Sequence, residues 1–143
     1  MRQKVSDYIA DFLAGAGVTE IFTVPGGLAM HMNDSFGHHP KIHCTYQHHE
    51  QACGMAAEAY ARYSGKMAGV CVTAGPAATN AVTGVLGCWM SSIPMIVLSG
   101  QTRTATSIES TGLPVRCRGI QECEITDVVR PITKYAVKIR EAE

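Results

Sequence analysis

Val70-Cys71-Val72-Thr73-Ala74-Gly75-Pro76-Ala77-Ala78-Thr79-Asn80 passes from a β-branched tract, through a Gly-Pro break, into an alanine-rich stretch. A short apolar run bounded by turn residues reads as a buried strand, and the uncharged stretch after it reads as a helix over 77–90. The same unit recurs on either side. Upstream, Glu20-Ile21-Phe22-Thr23-Val24 is β-rich and is stopped by Pro25-Gly26-Gly27, with a short helix expected over 28–36. Ile42-His43-Cys44-Thr45-Tyr46 reads as the next strand and 50–63 as an Ala-rich helix. Downstream, Met95-Ile96-Val97-Leu98 makes a fourth strand. At the start, Val5, Tyr8, Ile9, Phe12 and Leu13 recur at helical spacing over 4–15, with Gly15 or Gly17 to end the helix.

Strands alternating with helices predict an α/β fold, a three-layer sandwich whose mostly parallel sheet is flanked by helices. Ligands of such sheets bind beyond the carboxyl ends of the strands. Three strand-to-helix junctions therefore matter: Pro25-Gly26-Gly27, His48-His49-Glu50-Gln51 and Gly75-Pro76-Ala77-Ala78-Thr79-Asn80. With 143 residues and 46% hydrophobic content, residues 1–143 suit one domain with a core of its own. Twelve basic residues against twelve acidic ones give a formal net charge of zero, which steers the chain towards neither nucleic acid nor an anionic membrane. Its apolar runs stop well short of the roughly 20 residues that span a bilayer, and Met1-Arg2-Gln3-Lys4 opens an amphipathic stretch, so a cytoplasmic location is expected. The six cysteines are scattered and read mostly as small buried hydrophobes. The histidine pairs His38-His39 and His48-His49 lack the spacing of a closed zinc site, so no metal ligand is expected in this chain.

Beyond Ser99 the pattern loosens. Residues 101–119 read as a long loop, of the kind that is usually functional or mobile. Tyr135-Ala136-Val137-Lys138-Ile139 alternates like a strand, and Arg140-Glu141-Ala142-Glu143 reads as the opening of a helix. The uncharged segment 77–90 should be buried on every side. Gly84 and Gly87 each cost about 1 kcal/mol against alanine in a helix, which close approach of another backbone would offset. The helix over 50–63 offers a stripe of Ala52, Ala56 and Ala59 with Gly54 beside it. Both helices could pack on their own sheet. A tight subunit interface through 50–63 or 77–90, giving a homodimer or higher oligomer, is the expectation here.

His49-Glu50-Gln51-Ala52, then Ala56-Ala57-Glu58-Ala59-Tyr60-Ala61-Arg62-Tyr63-Ser64-Gly65-Lys66, carry a family resemblance. It continues through 72–84 and 92–101, then Gln121-Glu122 and Arg130-Pro131-Ile132-Thr133-Lys134. The chain resembles the N-terminal pyrimidine-binding domain of thiamine-diphosphate enzymes, and is most similar to the acetolactate-synthase-like group. The resemblance implies that this fold is present, its last helix and strand aside. It also implies that Glu50 contacts N1′ of the cofactor's aminopyrimidine, and that Pro25 and Gly26 approach that ring across a subunit boundary. Pro76 and Asn80 match positions lining the pyrimidine site, and Gln121 matches a glutamine reaching towards substrate from the neighbouring subunit. Two departures stand out: Gly75-Pro76-Ala77 replaces Gly-Pro-Gly, and 102–119 does not follow acetolactate synthase.

The implied reaction acts on a 2-oxo acid such as pyruvate, by decarboxylation with or without carboligation. Glu50 would serve as a general acid within hydrogen-bond reach of N1′. Apolar enclosure favours the proton-carrying form of a carboxyl, whereas a helix start favours the charged form; enclosure is expected to prevail. Mg²⁺ and the diphosphate would belong to a domain or subunit with a Gly-Asp-Gly motif, which this sequence lacks. FAD, carried by a middle domain in some relatives, stays open. The chain, inactive by itself, would be a piece of a longer enzyme, the alpha subunit of a split 2-oxoacid decarboxylase, or a non-catalytic assembly module.

Overall fold

Four short strands, β1 (Glu20–Thr23), β2 (His43–Tyr46), β3 (Ala68–Val72) and β4 (Met95–Ser99), build the sheet in the computed structural model, which describes residues 2–141. They run all parallel in the order β2-β1-β3-β4. Helices fill the crossovers: α1 (Val5–Gly15) precedes β1, and α2 (Met30–His38) follows it after a 3₁₀ turn at Gly27–Ala29. Next come α3 (Glu50–Ser64) between β2 and β3, α4 (Pro76–Asn80) and α5 (Val82–Ser91) between β3 and β4, and a final short α6 (Ile125–Val129). The α/β sandwich expected from the alternating pattern is the fold observed, with a sheet that is wholly parallel.

Alternation along the strands separates two cores. Ile21 and Cys71 point to one face, where Ala10 and Leu13 of α1 and Phe36 of α2 cover them. Phe22, Val70 and Val72 point to the other, against Cys53 and Ala57 of α3 and Ala78 and Ala81 of the next crossover. All five residues of β3 are buried, as a central parallel strand covered on both faces requires. Cys53, Cys71 and Cys88 are buried hydrophobes as expected, and burial pushes their thiols up to about 11, about 12 and about 11. Cys44 and Cys123 are half-buried and Cys117 is exposed. Among the described residues, no helix is long and apolar enough to cross a membrane.

Three expectations need correction: the single helix over 77–90, the strand over 135–139 and the helix opening at Arg140. Segment 77–90 is two helices, because the backbone tightens at Ala81, whose N–H reaches Ala78 O at 3.2 Å. Its outer face is open, with Leu86, Trp89 and Met90 at 40%, 45% and 76% exposure, so this chain does not bury it on every side. The close backbone approach that offsets Gly84 is found within the chain: a Cβ on Gly84 would lie 2.6 Å from Gly54 Cα. Within the chain the seam runs through other residues of α3 than the alanine stripe. Glu50, Gly54 and Glu58, spaced four apart on one face of α3, meet Asn80, Gly84 and Gly87. α3 and the α4–α5 segment therefore run side by side in the same direction.

Residues 135–139 form no strand. The apolar members of that alternation, Tyr135, Val137 and Ile139, are exposed, while Lys138 is drawn to Glu109 and Glu124 at 3.1 Å each. Arg140 and Glu141 are not helical; Ala142 and Glu143 lie outside the described residues.

The glycine seam gives a paired test. Gly84→Ala drives a Cβ into backbone that cannot swing away, so overpacking of about 1–3 kcal/mol outweighs the roughly 1 kcal/mol of recovered helix propensity. Gly87→Ala meets only the flexible carboxylate end of Glu58, so its stability should hold or rise by up to about 1 kcal/mol. Urea unfolding midpoints should move in opposite directions, or Gly84 alone should lower them.

Candidate functional site

The chain leaves β1 for α2 on one face of the sheet and leaves β3 for α4 on the other. Neighbouring strands whose connections diverge open a crevice at their carboxyl ends, where ligands of parallel sheets bind. The three junctions singled out in the sequence lie at that rim.

Glu50 is the first residue of α3. The helix is capped by His49, whose Nδ1 accepts from Gln51 N–H at 3.1 Å, which places the ring's acceptor lone pair on that nitrogen. Glu50 Oε2 accepts from Asn80 Nδ2 at 3.0 Å, across to the last residue of α4. No described residue donates to Oε1. Glu50 is half-buried and Asn80 exposed, so this chain by itself does not supply the apolar enclosure expected around the acid. One turn below, Cys53 is raised by burial first and by the charge of Glu50 second.

Pro25 is exposed, and Gly26 is pressed onto Thr73, where a Cβ would lie 2.5 Å from Thr73 Cβ. Thr73 Oγ1 also accepts from Leu28 N–H at 3.2 Å, and Gly100 admits the Leu28 carbonyl against its bare Cα. The ends of β1, β3 and β4 are thereby stapled into one rim. The role of Thr73 was not foreseen; a hydroxyl two residues before Gly75, at the end of a buried strand, was the available signal.

Gly75 has φ +64° and ψ −121°, and a Cβ there would lie 2.3 Å from Gln121 O. This glycine is needed both for its conformation and for the approach of Gln121. Pro76, exposed, opens α4 immediately after it. Gln121 itself has φ +53° and is exposed. The structure thus pairs Glu50 with Asn80, sets Gln121 against Gly75 beside Pro76, and seats Gly26 on Thr73.

The loop over 101–119 contains one 3₁₀ turn, Thr104–Thr106, yet is densely bonded. Gln101 Nε2 donates to Cys123 O at 2.9 Å, and Gly119 lies tight on the buried Thr102. Glu122 accepts from the N–H groups of Ile108 (2.7 Å), Gly119 (2.9 Å) and Arg118 (3.2 Å). The Gly119 N–H above all, with those of Ile108 and Arg118, holds its carboxyl below the usual carboxylate range. This hub was also missed, although an acid three residues after a loop glycine was visible in the sequence.

A family model described as "Thiamine pyrophosphate enzyme, N-terminal TPP binding domain" matches residues 3–124. The chain belongs to this family. As a TPP-binding domain it is 37% identical over 131 residues to an acetolactate synthase large subunit of Buchnera aphidicola, covering 92% of this chain and 22% of that protein. It is 34% identical over 138 residues to the isozyme 3 large subunit of Escherichia coli (96% and 23%), and 36% over 137 residues to acetolactate synthase 2, chloroplastic, of Zea mays (93% and 20%). The chain spans a little over a fifth of the length of these relatives. The donor set at the rim of this TPP domain fits an aminopyrimidine: a carboxyl with one uncommitted oxygen, a carboxamide beside it, and the exposed rings of Pro25 and Pro76. Among the described residues, no three His, Cys, Asp or Glu gather to hold a metal ion.

Gly75→Ala tests how tightly the rim is built. The positive φ and the collision with Gln121 O should destabilise the domain by at least about 2 kcal/mol, read as a lower urea midpoint.

Proposed function

We propose that this TPP domain is the pyrimidine-binding half of an enzyme acting on a 2-oxo acid such as pyruvate, by decarboxylation with or without carboligation. Glu50 is its acid. The observation that carries the reading is the Glu50–Asn80 pair at the carboxyl end of the sheet, in which one carboxylate oxygen is anchored at 3.0 Å and the other is uncommitted. Thiamine diphosphate, when bound, supplies the chemistry that breaks the bond beside the 2-oxo group.

In this reading, Glu50 Oε1 meets N1′ of the aminopyrimidine and holds or delivers a proton there. Asn80 fixes the carboxyl's rotation, so that the free oxygen is the one presented. Pro76, Pro25 and Gly26 give flat, donor-poor surfaces on which an aromatic ring can rest, and Gln121 faces the substrate. A half-buried carboxyl is not enclosed, so the dry surroundings that keep a proton on it would come from a second protomer and from the ring. The open face of α5 (Leu86, Trp89, Met90) offers apolar surface for that protomer. Mg²⁺ and the diphosphate would be held by a diphosphate-binding domain or subunit.

In the complete enzyme carrying this domain, Glu50→Gln should lower turnover by about 10²–10⁴-fold, the range of a lost general acid, without changing the circular dichroism spectrum. Turnover of pyruvate within a few-fold of wild type would refute the assignment. Mixing the chain with a diphosphate-binding partner, Mg²⁺ and thiamine diphosphate separates an enzyme half, which recovers decarboxylation, from an assembly module, which associates without turnover.

A further inference from the structure

We propose that Glu122 is a positioning residue: it ties the 101–119 loop into one body and so fixes where Gln121 stands at the rim. This rests on the reading above, in which Gln121 faces the substrate.

Glu122 spends both carboxylate oxygens on backbone. Oε1 accepts from Ile108 N–H, fourteen residues back, and Oε2 accepts from Arg118 and Gly119. A single side chain thus joins the middle of the loop to its end. The neighbouring residue, Gln121, is held with φ +53°, a conformation that residues other than glycine seldom adopt unless their surroundings impose it. Two constraints impose it here. Glu122 N–H closes a turn onto Gly119 O at 3.3 Å, and Gln121 O rests on the bare Cα of Gly75. The loop's base is tied separately, by Gln101 to Cys123 and by Gly119 on Thr102. Remove the Glu122 contacts and the base persists, but the turn that presents Gln121 loses its backing. The side chain of Gln121 is exposed, so packing does not fix its direction and the backbone must.

Glu122→Gln is the informative change, since it keeps the shape and replaces one acceptor oxygen with a donor that no amide N–H can use. In this chain, amide hydrogen exchange at Ile108, Arg118 or Gly119 should quicken at least about tenfold, as loss of a charge-assisted hydrogen bond implies. Exchange in β3 should not change. In the complete enzyme with thiamine diphosphate and pyruvate, Glu122→Gln should lower kcat about 10-fold or more, because small misplacements of a positioning contact are costly. The double variant Gln121→Ala/Glu122→Gln should be no slower than Gln121→Ala within about twofold, because Glu122 acts through Gln121. Glu122→Asp, with both acceptors drawn back by one methylene, should fall between wild type and Glu122→Gln.

Unchanged exchange at all three amides in Glu122→Gln overturns the clamp. Multiplying losses in the double variant overturn the link to Gln121. Wild-type turnover in Gln121→Ala defeats the substrate role of Gln121, and the positioning role with it, whatever the exchange shows. The two failures are thereby told apart.

Discussion

Two backbones meet without side chains between them at Gly54 and Gly84, and the placement of the candidate acid follows from that contact. Glu50 stands one turn before Gly54 on the same face of α3, and Asn80 stands one turn before Gly84. With the helices side by side and pointing the same way, seating glycine on glycine brings carboxylate to carboxamide at 3.0 Å. The next step along the seam repeats the pattern: Glu58 lies over Gly87 while Arg62 holds it at 2.7 Å. A larger residue at either glycine would lift α3 away and open the pair at its end. The small residues are a ruler that sets the geometry of the rim, and their cost in helix propensity is repaid by close packing.

The same arrangement explains a tension at Glu50. A helix start favours a negative charge, and a proton donor must be able to carry a proton. Placing the acid at the first position of α3 gives it rigidity, because the His49 cap and the seam fix the backbone beneath it. The chain leaves the carboxyl half-buried. Fixing the acid in space and drying its surroundings are thus separable tasks. The fold performs the first; the second, in the role proposed for Glu50, falls to whatever covers the rim.

Much of this was legible in the sequence, for reasons that can be located. Three of the strands were readable as short β-rich runs stopped by glycine or proline, and β3 is buried on both faces. The junction residues were readable because α/β topology puts function at strand ends. The seam was only half legible: Gly54 and Gly84 were visible as small residues in need of a neighbour, but nothing local says that each is the other's neighbour. The alanines at 52, 56 and 59 lie outside that seam, and Ala59 is exposed in this chain, as a residue kept for a subunit contact would be. The alternation at 135–139 failed for a different reason. Period-two patterning makes a strand only where a partner edge exists, and there the ion pairs of Lys138 decide the path instead.

The loop over 102–119 raises the remaining question: how a segment with so little regular structure delivers Gln121 and Glu122 to a fixed place at the rim. The donors to Glu122 are all backbone N–H groups, which every residue but proline supplies. Side chains along the loop are therefore free of that constraint, and several apolar ones, such as Leu113 and Val115, point outwards. What cannot vary is the chain's own geometry at two places: an unsubstituted Cα at Gly75, to admit Gln121 O, and one at Gly119, to lie on Thr102. A loop anchored through its main chain can change its outer surface without moving the glutamine at its end. An open outer surface and a fixed rim are then two consequences of one hydrogen-bonding scheme.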